Sequence, residues 1–70
     1  MAVEPIEWKG SVIFGAQNGF VYRIDHNGQM SPLLFLGTAG VHTIQHIKDN
    51  LFAASNLDGR VVVFKILSSD

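Results

Sequence analysis

The side chains best suited to chemistry in this sequence are its histidines, and their spacing limits what they can do. His42 and His46 are four residues apart in a segment of strand-like composition. Because side chains alternate along a strand, we expect both histidines to share one face with Ile44. At ~3.3 Å per residue they would lie about 13 Å apart, too far to hold one metal ion together. The pattern predicts polar lining and no metal site.

The carboxylates and serines form no reactive group either. Glu4 and Glu7 fall in the first strand region, whereas Asp25, Asp49 and Asp58 fall in turns. No spacing forces two carboxylates together, as general acid and base chemistry requires. The seven glycines are scattered among turns, and no nucleophile elbow or phosphate-binding loop is present. We therefore predict a protein that is not an enzyme and binds no cofactor.

Composition narrows the class of partner. The 70 residues include no cysteine, and five Lys and Arg against six Asp and Glu give a formal net charge of −1. A chain with so little net charge has no field to attract nucleic acid or anionic lipid. The opening MAVEPIEWKG lacks the basic start and apolar run of a signal peptide, and no apolar stretch is long enough to span a bilayer. These features predict a cytoplasmic protein whose partners are neither nucleic acids nor membranes.

The elements that must position these side chains are strands. Short apolar segments separated by Gly, Asn, Asp and Ser leave no room for a helix of about ten residues. Asn18-Gly19 and Asp58-Gly59 are dipeptides that accept the positive φ of tight hairpin turns. The pattern predicts seven strands: Val3–Trp8, Ser11–Ala16, Phe20–Asp25, Leu33–Leu36, Val41–Ile47, Leu51–Ser55 and Arg60–Ile66.

The sequence also repeats itself. When Asn18-Gly19 is placed over Asp58-Gly59, polar, turn and apolar classes coincide over about eleven positions at a shift of 40 residues. Repeat units of this kind bury their apolar faces by stacking on neighbouring units, and three or more are usually needed for stability. The chain is therefore expected to need copies of itself or a partner.

Two segments resemble repeats of known families. ASNLDGRVVVFK is similar to the end of a WD-repeat blade, and FGAQNGFVYRIDHNG resembles the quinoprotein-like propeller repeat. The resemblance implies an all-β chain of antiparallel four-stranded β-propeller blades. Residues 1–38 would form a first blade and residues 39–70 three strands of a second, so that the propeller is incomplete.

On this resemblance the chain is expected to be a non-catalytic protein–protein interaction or scaffold module, as a homo-oligomer or a subunit of a complex. Alternatives are a carbohydrate or small-ligand binding propeller, a fragment of a quinoprotein-like enzyme, and a small closed β-barrel. Most aromatic side chains are expected in the core, although Trp8 and Tyr22 have polar groups that suit a binding rim. The candidate partner-binding residues are Trp8, Phe20, Tyr22, His42, His46 and Arg60.

Overall fold

The computed structural model describes residues 4–67, which form seven β-strands. The all-β prediction is confirmed, and the parts of predicted strands and sites at residues 1–3 and 68–70 lie outside the described residues. None of the described residues forms a helix long and apolar enough to cross a membrane. The strands are β1 (Ile6–Trp8), β2 (Ser11–Gly15), β3 (Phe20–Ile24), β4 (Met30–Phe35), β5 (Val41–Lys48), β6 (Leu51–Asn56) and β7 (Val61–Lys65).

The strands form two antiparallel sheets in which each strand pairs with its neighbour in sequence. One sheet has the order β1-β2-β3-β4 and the other the order β5-β6-β7. Gly19 and Gly59 adopt φ of 93° and 87° in the predicted hairpin turns. Such positive φ values cost a side chain about 1 kcal/mol or more, and glycine tolerates them. Local turn chemistry therefore determines the meander topology of both sheets.

The pairing of β2 with β3 recurs in β6 with β7 at the shift of 40 residues. Val12 pairs with Ile24 in the first sheet, and Phe52 pairs with Phe64 in the second. The turns repeat as well. The amide of Ala16 donates to the Phe20 carbonyl at 3.0 Å, and the two equivalent groups, 40 residues later, are also 3.0 Å apart. The sequence repeat thus corresponds to a repeat in strand register.

The propeller interpretation is wrong. Residues 4–67 form two small sheets of four and three strands, and within that range no sheet closes and no propeller blade is shown. The sequence signals behind the interpretation were Asn-Gly and Asp-Gly turns between alternating strands. Antiparallel hairpins of many folds share those signals, so they predict hairpins and do not specify how sheets are arranged.

The core lies between the two sheets. Gly15 on β2 approaches Val41 on β5 so closely that an added Cβ would lie 2.3 Å from Val41 Cγ1. Burying one large apolar side chain in such a junction contributes about 1.5–3 kcal/mol. The buried apolar residues are Trp8, Ile13, Val21 and Leu36 from the first half and Val41, Ile44, Phe52, Ala54 and Ile66 from the second.

Strand β5 departs from regular alternation. Its register with β6 shifts between Val41 and Thr43, so that Val41 and Ile44 are both buried although they are three residues apart. His42 lies at this bulge and is exposed. Ile44 and His46 share one face as expected, because they pair with Ala54 and Phe52, but the expectation is wrong for His42, where a bulge inserts an extra residue into the strand.

Candidate functional site

Trp8 and Phe52 are buried between the sheets, and the exposed His46 and Asp49 contact Trp8 at the margin of the junction. Trp8 is 6% exposed, and its Nε1–H donates to the Asp49 carbonyl at 2.8 Å. His46 Nε2 lies 2.7 Å from the same carbonyl, which can only accept, so this nitrogen carries the proton. The Trp8 ring meets Phe52 edge-on at 5.3 Å, and His46 stacks on Phe52 at 4.7 Å. This cluster joins the sheets and leaves Trp8 inside the molecule.

A cation covers the indole. The Arg23 guanidinium lies 5.8 Å from the Trp8 ring centroid, and Arg23 Nε donates to Ser11 Oγ at 2.9 Å. Ser11 is buried beside Trp8, so this hydrogen bond satisfies its hydroxyl. Arg23 therefore acts as a packing residue of the junction.

The side of the first sheet that points away from the junction is aromatic. Phe14 stacks on Tyr22 at 5.4 Å, Phe20 lies 5.8 Å from Tyr22, and Phe20 meets Phe35 at 4.8 Å. All four rings are at least partly exposed. The expectation that most aromatic residues lie in the core is wrong, because the seven include only two buried residues, Trp8 and Phe52.

Apolar residues extend this side to both edges of the sheet. Val12 and Ile24 pair with each other and are partly exposed, and Met30, paired with Ile24, is 56% exposed. Glu7 pairs with Val12 at one margin. We call this surface the first outer face. It comprises Val12, Phe14, Phe20, Tyr22, Ile24, Met30 and Phe35, with Glu7 at its margin.

The side of the second sheet that faces away from the junction combines exposed valines with polar residues. Val61 and Val63 are 67% and 59% exposed. The alternating residues Val62 and Phe64 are partly buried and pack against the core. Ala53 pairs with Val63. We call this surface the second outer face. It comprises Thr43, Gln45, Lys48, Leu51, Ala53, Ser55, Val61, Val63 and Lys65, because Thr43 pairs with Ser55 and Gln45 pairs with Ala53.

His42 lines a cleft at one end of the molecule. The cleft holds about 290 Å³ and is bounded by Gln17, Gly40, Val41 and Leu57, with Ala39 beside them. Its side-chain polar groups are the Gln17 amide and the His42 imidazole. These two groups could orient a small polar ligand by hydrogen bonds.

Arg60 is exposed in the turn before β7, where its backbone amide donates to Asn56 Oδ1 at 2.9 Å. The same oxygen accepts from the Asp58 amide at 3.0 Å. Asn56 Nδ2 donates to the Leu36 carbonyl at 2.8 Å, across the junction. Asn56 thus stabilises the turn and connects the two halves of the molecule, a role that its place in the sequence does not indicate.

The six predicted site residues therefore separate into four places. Trp8 is buried in the junction with the exposed His46 at its margin, Phe20 and Tyr22 lie together on the first outer face, His42 lines the cleft, and Arg60 lies in the turn before β7. Within residues 4–67, no group of three or more His, Asp or Glu side chains is placed to hold a metal ion.

One carboxyl group titrates abnormally. The backbone hydrogen bond from Gln29 holds the pKa of Asp25 below its usual value of 3.8, and a second from Asn27 acts in the same direction. Nearby His26 and Arg23 add favourable charge. Asp25 is a turn residue, and its carboxylate closes the β3–β4 hairpin.

The sequence contained a signal for the second outer face. Val61, Val62, Val63 and Phe64 form an unbroken apolar run, and such a run is typical of a strand covered on both sides. The run was interpreted as a strand and as an apolar stretch too short to span a bilayer, and not as an exposed face. Asn56 was recognisable only as an Asn preceding an Asp-Gly turn, and nothing local in the sequence indicates its bond to Leu36.

Comparison with known proteins assigns a fold and no activity. No family model matches the sequence, and no curated protein matches it. A solved structure that it resembles is that of the computationally designed Ika4 protein, with a TM-score of 0.77 and 27% identity. The match covers 93% of this chain and 40% of the designed chain, so this chain spans well under half of that protein's length.

These comparisons overturn the identification with WD-repeat and quinoprotein-like propellers. A quinoprotein-like enzyme fragment, which was inferred from that identification, loses its basis. What the chain shares with the designed protein is its arrangement of two small antiparallel sheets.

Proposed function

We propose that this chain is a non-catalytic protein–protein interaction module that serves as a scaffold and binds protein through its outer sheet faces. The observation that carries the proposal is that both sheets expose large apolar side chains, the first as a set of aromatic rings and the second as Val61 and Val63. One side of each forms the shared core, and the other side is exposed. Binding of this kind needs a rigid apolar platform and no reactive group.

The first outer face has the composition of a binding surface. Aromatic side chains and Met are enriched in the centres of protein interfaces, and Lys, Glu and Asp are depleted there. Phe14, Phe20, Tyr22 and Phe35 form a contiguous set of rings, with Met30 beside them and Glu7 only at the margin. A contiguous exposed apolar patch of this kind marks interaction sites in soluble proteins.

The second outer face supports the same proposal. Val61 and Val63 expose more than half of their side-chain surface next to Ala53. At ~25 cal/mol per Å², covering such valines contributes about 1 kcal/mol or more each. Two faces with exposed apolar side chains on opposite sides of one junction favour a scaffold that holds partners on both sides.

Light scattering on the full chain tests the proposal by measuring mass as a function of concentration. We expect the wild-type protein to have a mass above that of one chain. The Tyr22→Glu and Val63→Glu variants should have the mass of one chain, because each substitution places a charge on one outer face. Asn27→Glu, in an exposed turn, is the matched control and should leave the mass unchanged. Monomers in all four proteins, with equal thermal stability, would contradict the proposal.

A second candidate function is binding of a small polar ligand such as a carbohydrate in the cleft beside His42. The volume of about 290 Å³ is at the lower limit of ordinary ligand sites, which start near ~300 Å³. Titration with a monosaccharide, followed by NMR of the Gln17 side-chain amide, tests this alternative. Saturable shifts that are lost in Gln17→Ala would favour it, and unchanged spectra would exclude that ligand.

A further inference from the structure

At the shift of 40 residues, residues on the core side of each sheet correspond to residues on the outer face of the other sheet. Ile13 and Val21, on the core side of the first sheet, correspond to Ala53 and Val61 on the second outer face. Phe52 and Ala54, on the core side of the second sheet, correspond to Val12 and Phe14 on the first outer face. Each outer face is therefore the structural equivalent of one side of the internal junction.

The two equivalences are complementary. Inside the molecule, the core side of the first sheet packs on the core side of the second. The second outer face is equivalent to the core side of the first sheet. The first outer face is equivalent to the core side of the second sheet. A copy placed with its second outer face on the first outer face of another would pack sheet on sheet as in the internal junction, with Ser55 in place of Gly15 at the closest approach of the strands.

We propose that copies of this chain associate head to tail in this way, an inference that rests on the proposed function and names its partner. The occupant of each outer face is then the other outer face of a second copy. Contacts of this heterologous kind use a different surface on each copy, so every copy keeps one free face until a ring closes or a filament grows.

Side-chain volumes fit this arrangement at one central pair of positions. The internal junction combines Ile13 on one side with Ala54 on the other. Between copies, Ala53 takes the place of Ile13 and Phe14 takes the place of Ala54. A large side chain therefore again faces an alanine, although the large residue is now on the opposite surface. Volume-conserving exchanges of this type are those that packed interfaces tolerate best.

Charge supports the same pairing and identifies one contact. Trp8, which packs on Phe52 inside the molecule, is equivalent to Lys48, and Phe52 is equivalent to Val12. The proposal therefore places Lys48 of one copy over Val12 of the next. Val12 pairs directly with Glu7 across the strands, so the ammonium group comes beside a carboxylate of opposite charge.

Pairing of like faces is less favourable. Two second outer faces would bring lysines 48 and 65 of both copies together, since each face has these two lysines and no acidic residue. Two first outer faces would place their aromatic rings against equally large rings, without small residues to receive them. Head-to-tail contact avoids both conflicts.

Cross-linking between single-cysteine variants tests the arrangement, because the chain has no cysteine of its own. Val12→Cys and Lys48→Cys are mixed in equal amounts under assembling conditions and treated with a short bis-maleimide. We expect a covalent dimer in the mixture and no covalent dimer when either variant is treated alone. Asn27→Cys mixed with Lys48→Cys is the matched control and should give no dimer.

A charge exchange tests the same contact without a cross-linker. Glu7→Lys and Lys48→Glu should each weaken association roughly two- to fivefold, as the loss of an exposed ion pair does, and the double variant should recover wild-type association. Both residues are exposed, so the fold should tolerate the changes.

The outcomes separate this inference from the proposed function. Assembly with dimers only between identical cysteine variants, or with no recovery in the charge exchange, would overturn head-to-tail pairing and leave the interaction module intact. A wild-type chain that stays monomeric, with no cross-link in any mixture, would overturn both.

Discussion

Asn56→Ala is the substitution whose cost the structure defines best. Asn56 is 4% exposed and makes three hydrogen bonds, two to the turn that follows it and one to the Leu36 carbonyl across the junction. Loss of the two turn bonds costs about 1–2 kcal/mol in total, and a buried carbonyl left without a donor costs about 1–3 kcal/mol more. We expect Asn56→Ala to lower the free energy of unfolding by about 3 kcal/mol.

Asp25 provides a matched control within the same chain. Its Oδ1 accepts from the backbone amides two and four residues later, at 2.9 Å each, in the same pattern as Asn56 with Asp58 and Arg60. Asp25→Ala therefore removes an equivalent turn interaction without a bond across the junction. Because the Asp25 carboxylate is charged and makes the stronger turn bonds, an Asn56→Ala cost above that of Asp25→Ala is attributed to the buried bond to Leu36.

Urea unfolding followed by the fluorescence of Trp8, the single tryptophan, measures both variants at one fixed protein concentration. For a chain of this size, a loss of ~3 kcal/mol corresponds to roughly 15 °C in Tm. Asn56→Asp keeps the acceptor oxygen and removes the donor, so it should not restore stability. An Asn56→Ala cost equal to that of Asp25→Ala would refute the role assigned to the bond across the junction.

Three further predictions concern the junction and one turn. Gly15→Ala places a Cβ 2.3 Å from Val41 Cγ1 and should destabilise the chain by about 1–3 kcal/mol in the same urea assay. Trp8→Phe removes the bond to the Asp49 carbonyl and should cost about 1–2 kcal/mol, seen by calorimetry. Because the folded-state pKa of Asp25 is lowered, its carboxylate stabilises the fold above pH 3.8, and this contribution disappears as the pH falls below that value. Asp25→Asn should show a smaller loss of stability between pH 5 and about pH 2, and identical acid profiles would contradict this.

The strands and their local pairing were predictable from the sequence alone. Asn18-Gly19 and Asp58-Gly59 specify tight turns because glycine accepts positive φ, and alternating apolar residues on both sides of a tight turn align as a hairpin. The largest error in strand position is β4, which begins at Met30, before the predicted Leu33. Pro32 lies inside this strand because β4 is at the edge of its sheet, where a missing N–H is tolerated.

Only the tertiary structure decided which side of each sheet is covered. Trp8 and Phe14 are both aromatic residues near a turn, yet one is buried in the junction and the other lies on the first outer face. The bulge at His42 and the bond from Asn56 to Leu36 likewise depend on contacts between residues distant in sequence. Periodicity shows that a strand is apolar on both sides, but the burial of one side rather than the other depends on the sheet that packs against it.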